Sequence, residues 1–264
     1  MEDIVISLVL SQLILVPIAY KWELNLKVVS ISGLMIGLLA GSIIYVIETC
    51  FYISLITKLI GCLILIVSIS ASALLFRFYR DPDRVPPEMK NIILSPADGT
   101  IKYIKPIEKG QIPFSSKGKE KMRLSAPLMD ILQNEQGYLI GILMTYLDVH
   151  VTRAPIRGKL TYFKHIHGQF CSLKREDAPY QNERVIEIIK SDRFEIGLIQ
   201  IASRLVRRIV TYSKAEDELA LGQRIGMITF GSQVDVVLPK LKGLEIKVGI
   251  GEQVYAGLSI IAEF

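Results

Sequence analysis

The stretch Gly226-Met-Ile-Thr-Phe-Gly231-Ser232-Gln-Val-Asp-Val-Val-Leu-Pro239 decides how the polar part of this chain folds. Apolar residues alternate on both sides of a Gly-Ser pair, so a strand is expected to run into and out of a small-residue break. Glycine inside a strand weakens it and marks a bulge or a close approach to the backbone. Two readings follow. Gly231-Ser232 is a bulge in a core strand, or the Ser232 hydroxyl turns back on the Gly231 carbonyl.

Upstream, the 264 residues divide sharply by composition. Three apolar runs, Ile4 to Tyr20, Val28 to Ile47 and Leu59 to Phe76, are each long enough to cross a hydrocarbon core of roughly 30 Å as a helix. A secretory signal has a basic start and one short apolar core, whereas this chain opens Met1-Glu2-Asp3 and repeats the run. Residues 1–84 are therefore expected to be a membrane region of about three transmembrane helices, and residues 85–264 a separate domain. Basic residues set the orientation. Lys21 and Lys27 flank the first loop, Glu48 lies in the second, and Arg77, Arg80 and Arg84 follow the last span. That distribution predicts an integral cell-membrane protein with its C-terminal domain on the cytoplasmic side. Lys58 must then snorkel to the outer interface.

From residue 90 onward, short β-type segments alternate with glycine and proline, which predicts a mainly β fold, an antiparallel sandwich or barrel-like domain. The expected strands are Ile92–Leu94, Gly99–Ile107, Tyr138–Leu143, Val149–Thr152, Gly158–His165, Arg184–Lys190, Phe194–Ile201, Met227–Phe230, Val234–Leu238 and Leu258–Ala262. Ala202 to Arg208 is a turn of helix or a strand continuing into Ile209. Lys109 to Lys121 is expected to be a solvated loop.

The three cysteines, Cys50, Cys62 and Cys171, fit neither a disulfide framework nor a zinc motif. The net charge of +5 on a membrane-tethered chain points to anionic headgroups, and no aromatic-interleaved basic stripe points to nucleic acid. Asp98-Gly99 has the form of a turn before a strand. Asp148, His150 and Thr152 fall on one face of the next candidate strand by period two. His165 and His167 also share a face, but no carboxylate or cysteine stands at ligand spacing in the sequence, so no metal is expected.

Five stretches in order resemble one family, the phosphatidylserine decarboxylases: Phe78-Tyr-Arg-Asp-Pro82, Ser95-Pro-Ala-Asp-Gly99, Asp148-Val-His-Val-Thr-Arg-Ala-Pro155, Asn182-Glu-Arg184 and Arg224-Ile-Gly-Met-Ile-Thr-Phe-Gly-Ser-Gln-Val-Asp-Val236. The likeness is greatest to the short membrane-anchored branch, in which archaetidylserine decarboxylases also occur. It implies that the chain cleaves itself between Gly231 and Ser232. Ser232 then becomes a pyruvoyl group that decarboxylates a phosphatidylserine-type lipid in the membrane. It implies Ser232, His150 and Asp98 as catalytic, with His150 handling protons and Asp98 fixing the imidazole, and a heterodimer of the chain's own two fragments. Arg153, His167 and Arg184 are candidate headgroup contacts. Three features are variants: Arg153 stands where some longer members of the family carry the second histidine of a His-x-x-His arrangement, Phe230 precedes the Gly-Ser pair, and Gln233 follows it in place of threonine. The alternatives are a non-cleaving pseudoenzyme, or a lipoyl- or hybrid-motif-like binding module suggested by Leu244 to Gly257. Further self-association stays open.

Overall fold

In the computed structural model, residues 2–22, 24–108, 136–168, 181–202, 209–229 and 232–264 are described. The expected loop at Lys109 to Lys121, residues 203–208, Cys171, Phe230 and Gly231 lie outside them. The chain packs as two compact units, Met1–Arg77 and Phe78–Phe264.

The first unit holds three helices, α1 (Glu2–Lys21), α2 (Leu26–Cys50) and α3 (Leu55–Tyr79), the last of which ends in the second unit. All three are long and apolar enough to cross a membrane. Asn25 caps α2, its side chain accepting from the Lys27 and Val28 amides. Helices α1 and α2 join through polar contacts in an apolar setting, with Gln12 Nε2 donating to the Ser30 carbonyl and Ser30 Oγ donating back to Gln12 Oε1. Lys58, an isolated charge in the sequence, pairs with Asp3 at 3.2 Å and with Glu48. Those three residues sit at the start of α1, the end of α2 and the start of α3, which an up-down-up arrangement brings to one end of the three helices.

The second unit is mainly antiparallel β, and its largest sheet is curled into a half-barrel. Its strands are β1 (Ile92–Leu94), β2 (Gly99–Ile107), β3 (Gly137–Met144), β4 (Val151–Arg153), β5 (Gly158–Ile166), β6 (Arg184–Lys190), β7 (Glu195–Ala202), β8 (Ile209–Thr211), β9 (Glu218–Leu219), β10 (Arg224–Ile228), β11 (Ser232–Pro239), β12 (Glu245–Ile246), β13 (Gln253–Val254) and β14 (Ile260–Glu263). The large sheet has the order β13-β2-β3-β11-β7-β6-β5-β9, and two three-stranded sheets have the orders β1-β14-β12 and β4-β10-β8.

Strand β11 is buried along its whole length. Val234, Val236 and Leu238 face the main core, and Val237 faces a second cluster with Leu139, Ile186, Ile199 and Ile201. Burial on both faces explains why this segment alternates less than a one-sided strand does.

The described segments on either side of the Gly-Ser stretch belong to different sheets. The segment before it, β10, pairs with β4 and β8, while the segment after it, β11, pairs with β3 and β7. The chain therefore changes sheet between Ile228 and Ser232.

Candidate functional site

Ser232 opens β11 directly opposite Met144, the last residue of β3, and opposite Ala202, the last of β7. Its hydroxyl is fully buried and donates to the Met144 thioether sulfur at 2.8 Å. A thioether is a weak acceptor, so the hydroxyl is held but not strongly engaged.

After Met144 the chain leaves the large sheet in a turn built by Asp148. That carboxylate accepts from the Thr145 amide and hydroxyl through Oδ2 and from Gln253 Nε2 through Oδ1. Asp148 was expected to share a strand face with His150. Instead β4 begins only at Val151, because the Asp148 side chain closes the turn rather than extending the ladder.

The turn delivers His150 into the protein interior. Its Nδ1 lies 2.9 Å from the Asp148 carbonyl, its ring lies 4.1 Å from that of Phe78, and Nε2 is buried without a hydrogen-bond partner among the described residues. A carbonyl only accepts, so Nδ1 carries the proton and Nε2 presents a bare lone pair. Burial pushes the imidazole down to about 4, against the opposing pull of Asp148 and Asp98. At neutral pH the ring is uncharged and Nε2 can accept a proton.

Asp98 is buried beside these groups, but its carboxylate is not bonded to the imidazole. Arg84 takes both oxygens, Nη1 donating to Oδ1 at 2.5 Å and Nη2 to Oδ2 at 2.8 Å, and the Ala256 amide also donates to Oδ1. Orientation of the His150 ring thus falls to the Asp148 carbonyl, and Asp98 acts on it through its charge. Gly99 has φ +151°, and a Cβ there would stand 2.4 Å from the Leu143 carbonyl. The Asp-Gly pair therefore lets β2 approach the end of β3 closely. Strands β2, β3 and β11 bring Asp98, the His150 turn and Ser232 to one end of the sheet.

Two residues into the sheet from that end, where Gln200 pairs with Val234, Gln200 Nε2 donates to Glu187 Oε2 while Thr152 Oγ1 donates to Gln200 Oε1. Burial pushes the Glu187 carboxyl up to about 7.

A sequence profile of phosphatidylserine decarboxylase matches residues 71–262, most of the chain. The chain belongs to the phosphatidylserine decarboxylase family. It is similar to a "Putative archaetidylserine decarboxylase proenzyme" of Methanocaldococcus jannaschii, 44% identical over 72% of this chain and 91% of that protein. A relative of the same description in Methanothermobacter thermautotrophicus is 37% identical over 75% of this chain and 84% of its own length. The chain is accordingly a decarboxylase, which sets aside the binding-module alternative.

The other candidate residues of this phosphatidylserine decarboxylase family member divide. Arg153 is buried and committed inside the protein, with Nη2 donating to Asp81 and the Pro82 carbonyl and Nη1 to the Gly222 carbonyl. Its guanidinium anchors the Arg-Asp-Pro segment and does not stand open to a headgroup. Arg184 is half-buried, with Nη1 donating to the Asn182 carbonyl. His167 stacks beside His165, whose Nε2 contacts Glu183 Oε1 at 2.7 Å. The sequence does not single out Arg84, Phe78 or Met144: Arg84 reads as a basic residue after the last span, and Phe78 and Met144 reach the site only through the fold. Glu183 lies in the family stretch Asn182-Glu-Arg184, but it becomes a neighbour of the two histidines only once β5 and β6 are paired.

Proposed function

We propose that the chain decarboxylates a serine-headgroup membrane lipid to the corresponding ethanolamine lipid, using a pyruvoyl group made from its own Ser232. The observation that carries this reading is a buried Ser232 hydroxyl beside the turn that bears His150, whose Nε2 lone pair has no protein partner among the described residues. The curated relatives are described as proenzymes, which fits self-processing.

In processing, His150 Nε2 takes the Ser232 hydroxyl proton as Oγ bonds to the Gly231 carbonyl carbon. The carbon–nitrogen bond then breaks, leaving an ester between Gly231 and the Ser232 oxygen, with the proton passed to the freed amine. Removal of the residue-232 α-proton breaks the carbon–oxygen bond and releases Gly231 as a carboxylate. Water hydrolyses the resulting dehydroalanyl terminus, ammonia departs and a ketone remains. Asp98, held in place by Arg84, offsets the charge that His150 gains in each proton transfer. An orphaned base and a buried hydroxyl at one sheet end fit this group.

The pyruvoyl group supplies an electron sink for the pair left behind as carbon dioxide departs. His150 then holds the proton destined for the lipid α-carbon, and the burial of His150 and Ser232 keeps competing water away from that carbon. The fragments 1–231 and 232–264 stay associated, because β11 remains paired with both β3 and β7. The basic residues following α3 support a cytoplasmic catalytic unit.

Membranes containing the protein, supplied separately with phosphatidylserine and archaetidylserine, test the substrate. Ethanolamine lipid and carbon dioxide in equal amounts from either substrate support the reading. No release from both sinks it.

A further inference from the structure

Two histidines, paired on one face in the sequence, acquire a carboxylate when the chain folds. Strand β5 pairs with β6 so that Ile166 stands opposite Arg184, and the next rung sets His167 level with Glu183. His165 and His167 point to the face of Phe163, which packs on the main core, whereas Tyr162 and Ile166 pack on the other side. The ligand atoms of His165, His167 and Glu183 all lie within 4.8 Å of one another. The histidines are exposed while Glu183 is 6% exposed, so the cluster has a buried anchor and an open side.

The backbone around the cluster is fixed. Asn182 Nδ2 donates to the Ala202 carbonyl, and the Ala202 amide donates to the Glu183 carbonyl. A Cβ on Gly168 would lie 2.4 Å from the Gln181 carbonyl oxygen, so the ends of β5 and β6 close tightly beside the three side chains.

The cluster is also aligned with the reactive serine. Ser232 pairs with Ala202, and Ala202 bonds to Glu183, so these residues form one row across β11, β7 and the start of β6. Two strand spacings put Glu183 about 10 Å from Ser232.

We propose that His165, His167 and Glu183 bind a divalent transition ion of the zinc class, with a coordination position left for the phosphate of the lipid headgroup. Two imidazoles and one carboxylate are a donor set suited to such an ion, and three protein ligands leave a tetrahedral site open. Binding replaces the His165–Glu183 contact by bonds from both groups to the metal. The phosphate assignment rests on the decarboxylase reading. The metal site does not.

The test uses the full-length protein in detergent. After removal of bound metal by a chelator, zinc and cobalt are titrated back, with content measured by elemental analysis. The expected result is one ion per chain, with affinity reduced at least tenfold in Glu183→Gln and lost in the His165→Ala/His167→Ala double variant. Lys164→Ala, on the opposite face of β5, should bind as the wild type does. No stoichiometric binding, or equal binding by the double variant, overturns the site. With cobalt bound, phosphoserine should change the visible spectrum, and an unchanged spectrum overturns the headgroup role. A processed, active protein that binds no ion overturns the metal site alone. An uncleaved protein that binds one ion leaves the site standing and refutes the pyruvoyl reading.

Discussion

Arg84 closes on Asp98 with both terminal nitrogens, at 2.5 and 2.8 Å, and neither side chain is more than 8% exposed. Breaking a buried pair by removing one partner leaves an uncompensated charge and costs about 3–5 kcal/mol. Arg84→Met should therefore destabilise the protein by that amount, as read from chemical denaturation in detergent. The Arg84→Met/Asp98→Asn double variant should recover much of the loss, because the stranded charge is gone. Equal losses in single and double variants would show that the pair is not what holds this segment.

Gly99 makes a second, separable prediction. Alanine there must adopt φ +151° and bring a methyl group against the Leu143 carbonyl. The cost expected is at least about 2 kcal/mol from backbone strain. Because Leu143 adjoins Met144, fragment formation should also slow, measured as the fraction of cleaved chain over time after synthesis.

Stability should depend on pH through two buried groups of opposite sign. His150 has its ordinary value of 6.5 lowered to about 4, so between those values the unfolded chain takes up a proton that the folded chain refuses. Its contribution is complete above pH 6.5 and is lost as pH falls towards 4. Glu187 has its value raised from 4.5 to about 7, so the folded chain holds a proton that the unfolded chain has released. Its contribution is complete below pH 4.5 and is lost as pH rises through 7. Asp235, pushed up to about 6 by burial, acts in the same direction as Glu187. The opposing slopes flatten the wild-type profile between pH 4.5 and 6.5. Glu187→Gln removes one of them, so its stability relative to wild type should rise by up to about 3 kcal/mol from pH 4.5 to 8, read from unfolding midpoints. Parallel profiles would contradict the assignment.

The fold was legible where local pattern and tertiary context agree. The expected strands Ile92–Leu94, Gly99–Ile107 and Arg184–Lys190 match β1, β2 and β6 to the residue, each being bounded by turn residues or charge. The two-residue strands β9, β12 and β13 were not foreseen, because they exist only through pairing with β5, β14 and β2 and carry too few residues for a period. The change of sheet between β10 and β11 was invisible for the same reason: alternation continues on both sides whichever ladder each side joins. Among the site residues, Asp98, His150 and Ser232 stood out by motif. The partnership of Arg84 with Asp98 and of Glu183 with the two histidines depends on contacts that sequence spacing does not encode.

Ser232 is the proposed precursor of a pyruvoyl group, and the intact mass of the purified protein measures that directly. Two fragments are predicted, 1–231 and 232–264, the smaller beginning with a ketone in place of an α-amine and reacting with carbonyl reagents. Ser232→Ala should give only the uncut chain. A wild-type protein that remains a single 29.6 kDa species after full maturation, or a Ser232→Ala variant still cut at this bond, would contradict it.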